Sequence, residues 1–133
     1  MASSKSESST ATNEVIPILR VKSAAASVKW YAQLGFKQEW EHRFQPDFPA
    51  FVEISNGSML LFLSEHTGDA SPDTLVFLRV ADVDSFVADL PGAAEKIEDS
   101  EGIGMRDVEV EDPDGNRIRI GSRLVAREGK GYS

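Results

Sequence analysis

Apolar and polar positions along this chain fall into short alternating runs and two helix-like stretches, and the order of these patterns predicts its elements. From Val15 to Val21 the run VIPILRV reads as a strand, with Pro17, which has no N–H to donate, marking a sheet edge. Ser23 then stands as the N-cap of AAASVKWYAQL, in which Val28, Tyr31 and Leu34 share one face while Lys29 and Gln33 point away. Gly35 follows as the residue that ends the helix. Three further strands are predicted, from Phe36 to Phe44, Ala50 to Ser55 and Ser58 to Ser64, the last two joined by a turn at Asn56-Gly57. The first half thus reads βαβββ.

The second half repeats the scheme. TLVFLRV returns to the LRV ending, and Asp82 caps VDSFVADL, whose Val83, Phe86, Val87 and Leu90 recur at i, i+3, i+4 and i+7. Pro91-Gly92 ends that helix. After a loose acidic segment, MRDVEVE and NRIRIG are joined through the Asp112-Pro113-Asp114-Gly115 turn. Superposing the halves sets Leu19-Arg20-Val21 on Leu78-Arg79-Val80, Val52-Glu53-Ile54 on Val108-Glu109-Val110, and Leu60-Leu61-Phe62 on Ile118-Arg119-Ile120. Two half-domains of one design are implied.

Composition narrows the partners. The 133 residues and 41% hydrophobic content suit one domain, and a net charge of −8 disfavours nucleic acid and anionic membrane surfaces. There is no cysteine, which removes disulfides, thiolate nucleophiles and zinc–thiolate sites. Residues 1–13 are polar and rich in Ser and Thr without an apolar core, so they are expected to be a disordered tail rather than a signal or membrane segment. Residues 123–133 are expected to form a second tail, leaving one domain over 14–122, with modules at 14–66 and 74–122. The cytoplasm is the expected compartment.

Three stretches in fixed order carry a resemblance across Glu14 to Ser122: LRV with a helix bearing WYAQLGF, then LRVADVDSFVADL, then GMRDVEVEDPDGNRIRIG. They resemble the vicinal-oxygen-chelate superfamily, which holds glyoxalase I, extradiol dioxygenases and bleomycin-resistance binding proteins. The resemblance implies an α+β fold in which two βαβββ modules form a curved mixed sheet around a concave cavity, with helices outside. In the superfamily's metal enzymes it implies four ligands, one on the first and one on the last strand of each module. Carried over, these fall on Ile16, Leu61, Leu75 and Arg119, none of which can coordinate a divalent cation.

Through IPILRV, LGF, LLFLSEH and GMRDVEVEDPDGN the chain is most similar to the bleomycin-resistance branch. That similarity implies an acidic cytoplasmic homodimer that sequesters a cationic or aromatic small molecule, as in antibiotic resistance, with no metal and no cofactor. The alternative is an enzyme of the glyoxalase or dioxygenase type with an atypical site.

Candidate ligand-binding residues follow from alternation and residue type. Trp40, Phe44, Phe48 and Phe51 cluster in a loop-flanked region suited to an aromatic cavity rim, some of them being expected in the core. Glu53, Glu109, Arg79 and Arg119 are expected on the concave side with Phe51 and Phe77, while Leu60, Phe62, Ile118 and Ile120 are expected beneath the helices. Leu61 and Arg106 complete the candidate set. Glu65 and His66 are adjacent and could form an acid–base couple, although a solvated loop is the plainer reading. The arginines and carboxylates could equally be structural ion pairs.

Overall fold

A computed structural model describes residues 13–124, so all but the inner ends of the expected tails, 1–13 and 123–133, lies outside the described residues; Arg123, expected in the second tail, is instead the last residue of a strand. The order of elements is β1 Ile18–Arg20, α1 Ala24–Ala32, β2 Lys37–Arg43, β3 Ala50–Asn56, β4 Met59–Ser64, β5 Leu75–Arg79, α2 Val83–Phe86, β6 Glu98–Ser100, β7 Met105–Glu111 and β8 Arg117–Arg123. They form two four-stranded sheets, ordered β1-β4-β3-β2 and β5-β8-β7-β6, in each of which the first strand runs parallel to the fourth. This is the expected α+β pair of βαβββ modules. Among the described residues no helix is long and apolar enough to cross a membrane.

Helix α1 begins where Ser23 accepts a hydrogen bond from the Ala26 amide, and α2 where Asp82 accepts from Asp84 N–H. Both caps are those expected. The second helix is shorter than its periodicity suggests: after Phe86 the chain tightens, with Ala88 donating to Ser85 O and Leu90 to Val87 O. Val83, Val87 and Leu90 nevertheless reach the core. Strand β1 is also shorter than predicted, because the ladder starts only after Pro17, whose carbonyl accepts from Phe62 N–H while its nitrogen has nothing to donate.

Two further corrections concern elements. The acidic segment after α2 contains β6, paired antiparallel with β7, and its Glu-Asp-Ser composition hides an edge strand of low intrinsic propensity. The β3–β4 loop is Gly57-Ser58 rather than Asn56-Gly57, since Asn56 still pairs with Met59. Gly57 takes φ +60° at the first loop position, where a side chain would be strained. Asn56 instead points its amide at α1 and donates to Leu34 O at 2.9 Å.

One hydrophobic core lies between the helix-facing sides of the two sheets, built from Leu19, Tyr31, Leu34, Val52, Ile54, Leu61 and Leu63 of the first module and Leu78, Val83, Val87, Ile118 and Ile120 of the second. The modules are clasped by the DPDGN turn, which does far more than reverse the chain. Asp112 Oδ2 accepts from the Tyr31 hydroxyl at 2.8 Å and from Asn116 Nδ2 at 3.0 Å. Its Oδ1 accepts from the amides of Asp114 and Asn116. Asn116 Nδ2 also donates to Arg20 O, and Asp114 Oδ1 accepts from Lys22 N–H. A hairpin turn of the second module therefore satisfies main-chain groups at the end of β1 in the first.

Candidate functional site

The faces turned away from the core are concave and open. In the first module β3 and β4 pair so that Glu53 faces Phe62 and Ile54 faces Leu61. Facing residues of an antiparallel pair share one side of the sheet, so Phe62 lies with Glu53 on the concave side and Leu61 lies in the core, only 1% exposed. This corrects two expectations: Leu61 is not a cavity residue, and Leu60 and Phe62 do not pack under helices. Glu53 corresponds to Glu109 and Phe62 to Arg119, because Glu53 faces Phe62 as Glu109 faces Arg119. The halves therefore superpose one residue further along β4 than sequence similarity suggested. A two-residue loop already places Leu60 and Phe62 on the Glu53 side, and that was the available signal.

A β-bulge brings in the next residue. The register of β2 against β3 shifts between Gln38, which faces Ile54, and Trp40, which faces Glu53. Unbroken alternation would have kept Trp40 on the side of Gln38; the extra residue turns the indole onto the concave face. There Trp40 stacks on Phe51 at 6.1 Å and lies 5.9 Å from Phe62, with Phe51 and Phe62 4.9 Å apart between ring centroids. Three aromatic rings thus surround the position of Glu53. His42, which faces Phe51, belongs to the same side and was not among the residues singled out from sequence. Trp40 remains 42% exposed, so part of the indole stays open on this face.

Phe44 and Phe48 do not join this group. They pack on each other at 5.8 Å in the β2–β3 connection, where Arg43 holds the loop through Glu41 and the Phe48 carbonyl.

In the second module the concave face carries Leu75, Phe77 and Arg79 from β5, Arg117, Arg119, Gly121 and Arg123 from β8, and Asp107 and Glu109 from β7. Arg119 lies 3.0 Å from Glu109, which Arg117 also approaches at 3.4 Å. The Arg119 guanidinium, with Arg117 beside it, holds the Glu109 carboxyl below the usual carboxylate range. Arg119 is therefore neutralised across the strand pair by Glu109, the reading of an exposed structural ion pair. Gly121 sits beneath Phe77, Met105 and Asp107, and a Cβ there would stand 3.0 Å from an atom of each.

Arg106 belongs elsewhere. It shares the helix side of β7 with Val108, and its guanidinium makes a bidentate pair with Asp84 on α2 and a bond of 2.9 Å to Asp99 on β6. Glu65 is likewise occupied: its two oxygens accept from the amides of Ala24, at the start of α1, and Ala50, at the start of β3. Burial pushes its pKa up, but those amides together with Arg43 and His66 outweigh it and hold the carboxyl below its usual value. His66 bonds through its main-chain N–H to Ser64. The Glu65–His66 couple is thus a clamp and a neighbour. Sequence could not have shown this, because both amide donors lie far away along the chain.

The donor chemistry of the four carried-over positions does not suit a divalent cation. Leu61 is core, and the register-matched positions on the paired first and last strands are Ile18 with Phe62 and Phe77 with Arg119. Among the described residues no three His, Asp or Glu side chains converge as a metal site.

The description of a glyoxalase superfamily protein matches residues 2–127. No curated protein matches the chain in sequence. Among solved structures, a bleomycin-binding protein complexed with bleomycin is 20% identical, covering 84% of this chain and 99% of its own at a TM-score of 0.66. A bleomycin resistance determinant encoded on the transposon Tn5 is 19% identical, with 86% and 100% covered and a TM-score of 0.64. TnmS3, an antibiotic binding protein from Streptomyces sp. CB03234, is 20% identical, with 85% and 98% covered and a TM-score of 0.65.

Proposed function

Because the chain belongs to the glyoxalase superfamily, we propose that it is a binding member of that superfamily, which sequesters a small aromatic or cationic molecule and does not transform it. The observation that carries this reading is the set of Trp40, Phe51 and Phe62 around Glu53 on an open concave sheet. Such a face offers flat apolar area for stacking, and the electron-rich ring faces and the carboxylate attract a cation. Of the other ionisable candidates, Glu65 and Arg106 are taken up by structural bonds and Arg119 by Glu109. Superposable proteins that bind bleomycin or other antibiotics support the reading, and antibiotic sequestration in the cytoplasm is its sharpest form.

Ligand capture is completed by a second copy of the chain. Trp40 and, on the second sheet, Phe77 at 41% and Leu75 at 43% are left exposed, and a two-fold dimer would cover both faces and leave a groove between them.

Titrating the protein with bleomycin while following tryptophan emission tests the proposal. Saturable quenching is expected, lost in Trp40→Leu and weakened in Glu53→Gln. If bleomycin gives no response, a thermal-shift screen of cationic and flat aromatic compounds extends the test. Stabilisation by a hit should be lost in Trp40→Leu, and a hit indifferent to both substitutions would defeat the assignment of the face.

A further inference from the structure

Seven arginines lie within the described residues, and five of them are satisfied by the chain. Arg43 pairs with Glu41 and Glu65, Arg106 with Asp84 and Asp99, and Arg117 and Arg119 with Glu109. Arg20 donates to the Val21 carbonyl. Arg79 and Arg123 have no hydrogen-bonding or ion-pair partner among the described residues, and these two line the same cavity, of about 450 Å³, together with Val80 and Ala81. Their placement follows from the register. Arg79 on the edge strand β5 faces Gly121 on β8, and Arg123 stands two residues beyond Gly121 on the same side. Gly121 contributes no side chain of its own between them, although Phe77, Met105 and Asp107 close over that position.

Two guanidinium groups brought to one cavity repel each other, and in a chain of net charge −8 carboxylates to separate or neutralise them are plentiful. From this we infer that the Arg79–Arg123 cavity is a binding site for a small oxyanion, the phosphate or carboxylate group of an organic molecule. Each guanidinium presents a planar fork of donors that matches two oxygens of such a group, and a bound anion replaces the mutual repulsion with charge-assisted hydrogen bonds. The overall field of the protein repels anions, so affinity must come from these two forks and not from diffuse attraction. The cavity exceeds the volume of the anion alone and admits a small organic remainder beside Val80 and Ala81. This site does not depend on the aromatic face of the first module, which lies on the other sheet.

Calorimetric titration of the full chain at low salt, with inorganic phosphate and then with acetate, tests the inference. One saturable site per chain is expected for at least one of them, phosphate preference marking a phosphoryl ligand and acetate binding a carboxylate. Arg79→Gln and Arg123→Gln should each weaken it about ten- to hundredfold, the effect of losing one charge-assisted contact. Both side chains are exposed, so the variants should keep the native near-ultraviolet circular dichroism. Arg106→Gln, on the opposite side of the sheet, and Trp40→Leu should bind as wild type. Heats no greater than dilution for both anions, or binding that survives Arg79→Gln and Arg123→Gln together, would overturn the site.

Discussion

Tyr31 has its ring packed edge-on against Trp30 and Phe36, and its hydroxyl on Asp112. Burial, and then the Asp112 charge, push the phenol far above the usual tyrosine value of 10.0. The folded state therefore keeps a proton that the unfolded chain releases. Stability from this group is complete below pH 10.0 and is lost as pH rises beyond it. Tyr31→Phe should cost about 1.5–3 kcal/mol at neutral pH, the range for a hydrogen bond to a charged group. Denaturant titrations from neutral pH into the alkaline range should also show a shallower decline for the variant than for wild type. Ser27 presents the opposite case. Its hydroxyl is buried in α1 without a partner among the described residues, so Ser27→Ala should raise stability by about 1 kcal/mol in the same assay.

At the scale of elements, Glu65 ties the start of α1 to the start of β3. The carboxylate is held below its ordinary 4.5, so its contribution is present above that value and is lost as pH falls through the lowered one. Glu65→Ala should destabilise by about 1–3 kcal/mol, since two amide donors lose their acceptor. Hydrogen exchange should locate the loss at Ala24 and Ala50, and an effect spread evenly over both modules would contradict the clamp. On β8, Gly121→Ala sets a methyl group against Asp107 Cβ, Met105 Cε and Phe77 Cζ. The ends of Met105 and Phe77 can move, whereas Asp107 Cβ is fixed to its strand, so we expect about 1–3 kcal/mol of destabilisation by thermal or denaturant unfolding.

For the whole molecule, the exposed concave faces predict self-association. Trp40, Phe77 and Leu75 lie on the two sheets rather than in one shared pocket, which is unfavourable for an isolated chain. Sedimentation equilibrium should give twice 14.5 kDa at micromolar concentration, and Trp40→Glu with Phe77→Glu should shift it to the monomer while leaving the core intact. A wild-type chain that stays monomeric at high concentration would refute the dimer.

What was legible in the sequence was whatever neighbours along the chain encode. The βαβββ repeat shows in the periodicities and in the caps Ser23 and Asp82, and the placement of Glu53, Glu109, Phe77 and Arg119 off the core follows from strict alternation. The rest was decided between residues distant in sequence. Trp40 reaches the concave face only through a bulge that pairing with β3 imposes, whereas the place of Phe62 rather than Leu61 beside it was already implied by the two-residue loop of its hairpin. Glu65 and Arg106 have the chemistry of site residues but are claimed by Ala24, Ala50, Asp84 and Asp99. Asp112 reads as an ordinary turn residue, yet it holds the modules together through Tyr31. Local torsional preference and side-chain period are properties of a segment, whereas register, bulges and the choice of a hydrogen-bond partner depend on which surfaces meet when the chain collapses.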